Sequence, residues 1–142
     1  MTENKVLVDT NILVYAHDLD SEKNLVAAET LKKILASREA VLSIQNLAEF
    51  CRVSLEKTTK TAASDVMKKI VRDLSNSSKI IYYDAYVIES ALEIKEKYEL
   101  HFFDSLLAAA MLQENVKTIM TENEKDFKKI SWLKVINPFK KQ

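Results

Sequence analysis

Not one of the 142 residues is glycine, and that restricts both how the chain can turn and what it can bind. Phosphate loops and dinucleotide fingerprints need glycine so that backbone amides can approach a phosphate and the chain can bend sharply. ATP, GTP and NAD chemistry of the usual kinds is therefore disfavoured. Helix ends meet the same restriction. The residue that closes a helix in the left-handed region is normally glycine, with asparagine the next choice. Asn76 and Asn115 stand where such caps are wanted.

Apolar periodicity describes strands alternating with helices. A short strand over Lys5–Asp9 is followed by a helix near Ser21–Ala36 carrying Leu25, Ala28, Leu31 and Leu35, and then by a strand over Ala40–Ser43. Helices are expected over about Gln45–Lys57 and Ala62–Leu74, the second with a stripe of Ala63, Val66, Met67, Ile70, Val71 and Leu74, before a break at Ser75–Ser78. A β-rich run, Lys79–Tyr83, precedes a helix over Asp84–Tyr98 with Ala85, Ile88, Ala91 and Leu92 at core spacing. A further helix spans Phe103–Glu114, followed by strands Val116–Met120 and Leu133–Ile136, the last stopped by Pro138. Strands joined by helical crossovers imply an α/β fold, with a mostly parallel sheet covered on both faces. Ligands bind such sheets beyond the carboxyl ends of the strands. Asp9 and Thr121–Asp126 fall on that rim.

At 142 residues and 47% hydrophobic content the chain fits one domain, residues 1–142, with a real core. Lys+Arg and Asp+Glu both total 21, so attraction to nucleic acid would need a local basic patch. Of the lysines, Lys57, Lys60, Lys68, Lys69, Lys128, Lys129, Lys140 and Lys141 read as solvated faces, some of which could line an RNA groove. The lone Cys51 cannot form an intrachain disulfide, and no apolar signal core follows Met1–Lys5. The longest apolar run, Leu106–Leu112, is far short of the roughly 20 residues that span a bilayer. A soluble, cytoplasmic protein is expected.

Acidic residues carry the chemical reading. Asp9 closes the apolar run Val6–Val8 and is followed by apolar Ile12–Val14, while Asp104 opens the apolar helix Leu106–Leu112. A carboxylate in apolar surroundings costs several kcal/mol or shifts its pKa unless a cation or hydrogen bonds compensate. At roughly 5 Å and an effective dielectric of about 20, two ionised carboxylates repel by about 3 kcal/mol. A divalent cation removes that penalty, and oxygen-only ligands select Mg²⁺ or Mn²⁺ over zinc. Capping is the plainer alternative for each: Asp9 or Asn11 at a strand-to-helix turn, Asp104 at a helix start. Glu49 points away from the stripe of Leu47, Phe50, Cys51 and Ser54, which by pattern alone places it at the surface. His17 and His101 have no metal-ligand spacing with each other or with Cys51, which disfavours zinc and a histidine general base.

Taken together, Val8-Asp9-Thr10-Asn11-Ile12-Leu13, Asn46-Leu47-Ala48-Glu49-Phe50, Asp104 to Ala110, Thr121-Glu122-Asn123 with Asp126-Phe127, and Val135-Ile136-Asn137-Pro138 resemble a PIN-domain ribonuclease of the VapC type over nearly the whole chain. VapC proteins are the toxin half of toxin-antitoxin pairs. The resemblance implies a three-layer PIN-like fold and an endoribonuclease using Mg²⁺ or Mn²⁺. Asp9, Glu49 and Asp104 would be the acidic metal-binding and catalytic core, with Thr10, Asn11 and Thr121 supporting it. It also implies an RNA substrate, a cognate antitoxin and a homodimer. Many relatives carry an acid where this chain has Asn123; Asp126 shares its face if the segment makes a helical turn, and could otherwise be solvated. Two other readings stay open. One is a PIN-like RNA-binding or scaffold module of weak catalytic power. The other is a haloacid-dehalogenase-like phosphatase with Asp9 as nucleophile, a pattern that wants a second Asp at Asn11.

Overall fold

The computed structural model describes residues 4–57 and 63–140. In chain order the elements are β1 (Val6–Val8), α1 (Thr10–Ala16), α2 (Asn24–Ser37), β2 (Ala40–Ser43), α3 (Ile44–Glu56), α4 (Ala63–Ser77), β3 (Lys79–Ile81), α5 (Ala85–Tyr98), α6 (Phe102–Gln113), β4 (Thr118–Met120), α7 (Glu124–Phe127) and β5 (Lys134–Ile136). The expected helix start at Ala62, and Lys60 and Lys141, lie outside the described residues.

Side chains alternate across a strand with period two, and here that alternation builds three layers. Leu7, Val41, Ile81, Ile119 and Val135 meet Val87, Ala91 and Ile94 of α5, the apolar run Leu106–Met111 of α6, and Phe127 of α7. Their neighbours Val8, Leu42, Ile80, Met120 and Ile136 face the other way, onto Ile12 and Leu13 of α1, Leu31 of α2, Leu47 and Phe50 of α3, and Met67 and Leu74 of α4. The strands lie in the order β3-β2-β1-β4-β5, and every pairing is parallel. The sheet is thus parallel throughout, where the sequence indicated a mostly parallel one.

β1 occupies the centre, with Leu7 opposite both Val41 and Ile119. Directly beyond its carboxyl end, the Asp9 amide donates to the Met120 carbonyl at 3.0 Å, and the Thr121 amide donates to that of Ile136 at 2.9 Å. The ladder therefore fixes the backbones of Asp9 and Thr121 side by side.

Two helical stripes pack differently from the expectation. On α2, Leu25 is 68% exposed while Ala27 and Leu31 are buried. On α5, Val87, Ala91 and Ile94 are buried, leaving Ile88 and Leu92 at the surface. Both helices carry apolar residues on more than one face, so either face satisfies the helical period, and the contact with the neighbouring layer selects one.

Without glycine, three of the described residues take positive φ: Arg38 at 65°, Glu99 at 55° and Asn115 at 56°. Asn115 closes α6 as expected, the amides of Asn115 and Val116 donating to the carbonyls of Leu112 and Met111. Asn76 does not cap. It lies inside α4, which runs on through Ser77, so the break expected at Ser75 begins only at Ser78. Arg38 and Glu99 instead close α2 and α5 in the left-handed region. Replacing either with glycine is expected to stabilise the fold by about 0.5–1 kcal/mol through relief of the Cβ clash, read from the urea midpoint. A lowered midpoint in both variants would contradict this.

Candidate metal centre

Two loops at the carboxyl rim, after β1 and β4, and the helices α1, α3 and α6 build the site. Asp9 leaves β1 in extended conformation and caps α1, its Oδ1 accepting from the Thr10 amide at 2.8 Å. The same carboxylate accepts from the Thr121 hydroxyl at 2.8 Å, from the Asn11 amide at 3.4 Å and from the Asn46 amide at 3.3 Å. Asp9 therefore both caps α1 and lines the site's cavity. Burial nevertheless raises its pKa above the ordinary value: the hydrogen bonds from Thr121 and Thr10 counter the desolvation without cancelling it, and the charge of Glu49 adds to it.

Glu49 sits one turn beyond Gln45 on α3. It accepts from the Thr10 hydroxyl at 3.2 Å and from the Gln45 side-chain amide at 2.9 Å. It is partly buried and faces the other acids, not open solvent, so its position off the apolar stripe marks the rim of the site. Asp104 lies in the first turn of α6, whose N-cap, His101, makes no side-chain capping bond. The Asp104 carboxylate accepts from the Asn123 side-chain amide at 3.4 Å. Its pKa is raised from 3.8 to about 6, first by burial and then by the charges of Asp9 and Asp126, with His101 pulling the other way.

These side chains line one open cavity of about 490 Å³, bounded by Asp9, Thr10, Asn11, Glu49, Asp104 and Asn123 together with Val14, Tyr15, Val53 and Lys57. Thr121 is buried beneath it, accepting from the Asn123 backbone amide at 2.9 Å while donating to Asp9. Asp126 lies in α7, which Asn123 precedes as N-cap; it is not among the residues lining the cavity, sits 3.9 Å from Lys129, and its charge raises the pKa of Asp104. Among the described residues no three Asp, Glu, His or Cys side chains are grouped tightly enough to cage an ion as they stand. Asp9, Glu49 and Asp104 nevertheless line the same cavity.

The donor set still suits a hard divalent ion. It offers oxygen from three carboxylates and the Asn123 amide, and both Asp9 and Asp104 are raised in pKa, first by burial and then by the charge of neighbouring acids. Asn46, Ser43 and Gln45 are site residues to which sequence reasoning assigned no role. The one local sign was the spacing of Ser43 and Asn46, a helix N-cap three residues ahead of a polar side chain that is then fully buried.

The family model for the PIN domain matches residues 6–133. The chain belongs to the PIN-domain family. Solved structures that share this PIN fold include a toxin-antitoxin complex from Klebsiella pneumoniae, 20% identical, covering 96% of this chain and 100% of that one, with a TM-score of 0.70. VapC20 of Mycobacterium tuberculosis, a sarcin-ricin loop cleaving toxin, is 19% identical with a TM-score of 0.68, covering 94% and 100%. VapBC2 from Rickettsia felis, bound to a DNA fragment from its promoter, is 24% identical with a TM-score of 0.69, covering 93% and 97%. At these identities the likeness speaks to the fold alone. No curated protein matches the chain in sequence.

A carboxyl held at a raised pKa in the folded PIN domain costs stability as pH rises from its unfolded-chain value through the raised one, because the unfolded chain ionises more easily. With Asp104 raised to about 6, the metal-free protein loses this part of its stability as pH climbs from about 4 through about 6. Asp104→Asn removes the charge, so at pH 7.5 it should melt several degrees above the wild type in EDTA, with the gap closing near pH 4.5. Equal melting temperatures at pH 7.5 would show that Asp104 carries no such strain.

Proposed function

We propose that this PIN domain is an endoribonuclease that hydrolyses RNA phosphodiester bonds with Mg²⁺ or Mn²⁺, acting as the VapC-type toxin of a toxin-antitoxin pair. The observation that carries the reading is the single cavity lined by Asp9, Glu49 and Asp104 at the carboxyl rim of a parallel sheet. Asp9 and Asp104 would hold the ion, with Glu49 completing the set or orienting the attacking water. When bound, the divalent ion supplies Lewis acidity toward the phosphodiester and makes water a competent nucleophile near neutral pH. Thr10 and Thr121 keep the Glu49 and Asp9 carboxylates aimed into the cavity. Lys57, which lines the same cavity and is paired with Asp18 at 3.1 Å, is placed to meet an anionic backbone.

An antitoxin partner is supported by the related folds from Klebsiella and Rickettsia, which are toxin-antitoxin assemblies. A homodimer is supported by the exposed Ile88 and Leu92 on α5, apolar surface that a second copy could cover. A cytoplasmic setting accords with the free Cys51. No helix among the described residues is long and apolar enough to cross a membrane.

One observation favours a catalytically weaker module: Asn123 faces Asp104 with an amide that donates and adds no charge, which leaves any second ion poorly held. The phosphatase reading gains nothing, since Asn11 supplies a neutral amide to Asp9 where that chemistry wants an acid. With Mn²⁺ or Mg²⁺ the purified protein should cleave a labelled structured RNA, stop in EDTA, and slow by about 100-fold or more as Asp9→Asn. Undiminished cleavage by Asp9→Asn would refute the nuclease assignment, and Mn²⁺ binding without cleavage of any RNA would favour the weaker module.

A further inference from the structure

The geometry points to Asn46 as the positioning residue that locks Asp9 and Glu49 into a single metal-accepting arrangement; this rests on the nuclease reading above. Its side chain is 1% exposed and every polar atom of it is used. The amide nitrogen donates to Thr10 Oγ1 at 2.9 Å and to Asp9 Oδ1 at 3.3 Å. The amide oxygen accepts from the Ser43 hydroxyl at 2.8 Å.

These bonds have one self-consistent direction. Ser43 Oγ accepts from the Asn46 backbone amide at 3.0 Å as the cap of α3, so its own proton is free for Asn46 Oδ1. The Asn46 amide is thereby oriented, since the flipped form would set its carbonyl against the Asp9 carboxylate and leave the Ser43 proton facing an NH₂ group. Thr10 Oγ1 accepts from Asn46, and its one proton goes to Glu49 Oε2 at 3.2 Å. A directed relay thus runs from Ser43 through Asn46 and Thr10 to Glu49, with a branch to Asp9. It ties the first turn of α3 to the end of β1, elements adjacent in space but more than thirty residues apart in sequence.

The relay occupies Asp9 Oδ1 and Glu49 Oε2 as acceptors, and so fixes which faces of the two carboxylates are open to the cavity. An apolar residue at position 46 would release Thr10 Oγ1 to turn its proton toward Asp9, and Glu49 would lose its inner hydrogen bond. Partners behind metal ligands commonly control affinity by about 10- to 100-fold. A merely structural role would lower the melting temperature but leave the affinity of the folded protein unchanged.

The test is Mn²⁺ binding by titration calorimetry at 15 °C on full-length wild type, Asn46→Ala, Ser43→Ala and Ser43→Thr, each shown folded by circular dichroism. Asn46→Ala should weaken Mn²⁺ by about 10-fold or more. Ser43→Ala should weaken it less, and Ser43→Thr, which keeps the hydroxyl, should bind as wild type does. The Ser43 pair decides the matter if Asn46→Ala does not fold. Wild-type affinity in Asn46→Ala, or in Ser43→Ala when that variant must decide, overturns the relay while leaving the nuclease reading intact. Failure of the wild type itself to bind Mn²⁺ overturns both.

Discussion

Negative charge gathered at the end of the central strand is the constraint on which the rest of this structure turns. Parallel pairing of β1 with β2 and β4 brings Asp9 beside Thr121, and the crossover helices deliver Glu49 and Asp104 to the same rim. Such a grouping opposes folding, because Asp9 and Asp104 are desolvated beside other carboxylates that repel them. Neutral donors offset the cost around Asp9, where Thr10, Thr121, Asn11 and Asn46 all supply protons. Around Asp104 the donor is a single long bond from Asn123, and burial raises the pKa of both acids, that of Asp104 to about 6.

The apolar layers can be understood as the scaffold that enforces this proximity. α6 is buried over Ser105–Met111, which leaves its first turn no freedom to carry Asp104 away from the sheet. α3 starts immediately after β2, capped by Ser43, so Asn46 and Glu49 occupy consecutive turns facing the Asp9 loop. Stability invested in the two cores is thus set against strain at the rim, as expected where function needs unfavourable electrostatics.

Much of this was legible in the chain. Strands at Ala40–Ser43 and near Val8 and Ile119 followed from apolar runs, and Asp9 and Asp104 stood out because an acid is anomalous against buried neighbours. Glu49 was legible only through family resemblance, since its place depends on contact with Thr10, a pairing no local period encodes. Asn46 went unassigned for the same reason: a buried amide and a surface amide look alike until the partner segment is placed. Of the expected α5 stripe only Ala91 is buried, because Ile88 and Leu92 obey much the same periodicity as Val87 and Ile94, and only packing against α6 distinguishes them. Asn76 misled because a good left-handed residue was assumed to be used as one, whereas α4 continues past it and the role falls to Arg38 and Glu99 elsewhere.

The central claim is that three carboxylates lining one cavity draw together on a divalent cation. Anomalous diffraction from crystals of the protein soaked in Mn²⁺ tests it most directly. The account predicts a strong peak within about 2.0–2.3 Å of oxygens from both Asp9 and Asp104, with Glu49 turned toward it directly or through water. Full Mn²⁺ occupancy elsewhere on the protein, with no peak between Asp9 and Asp104, would contradict it.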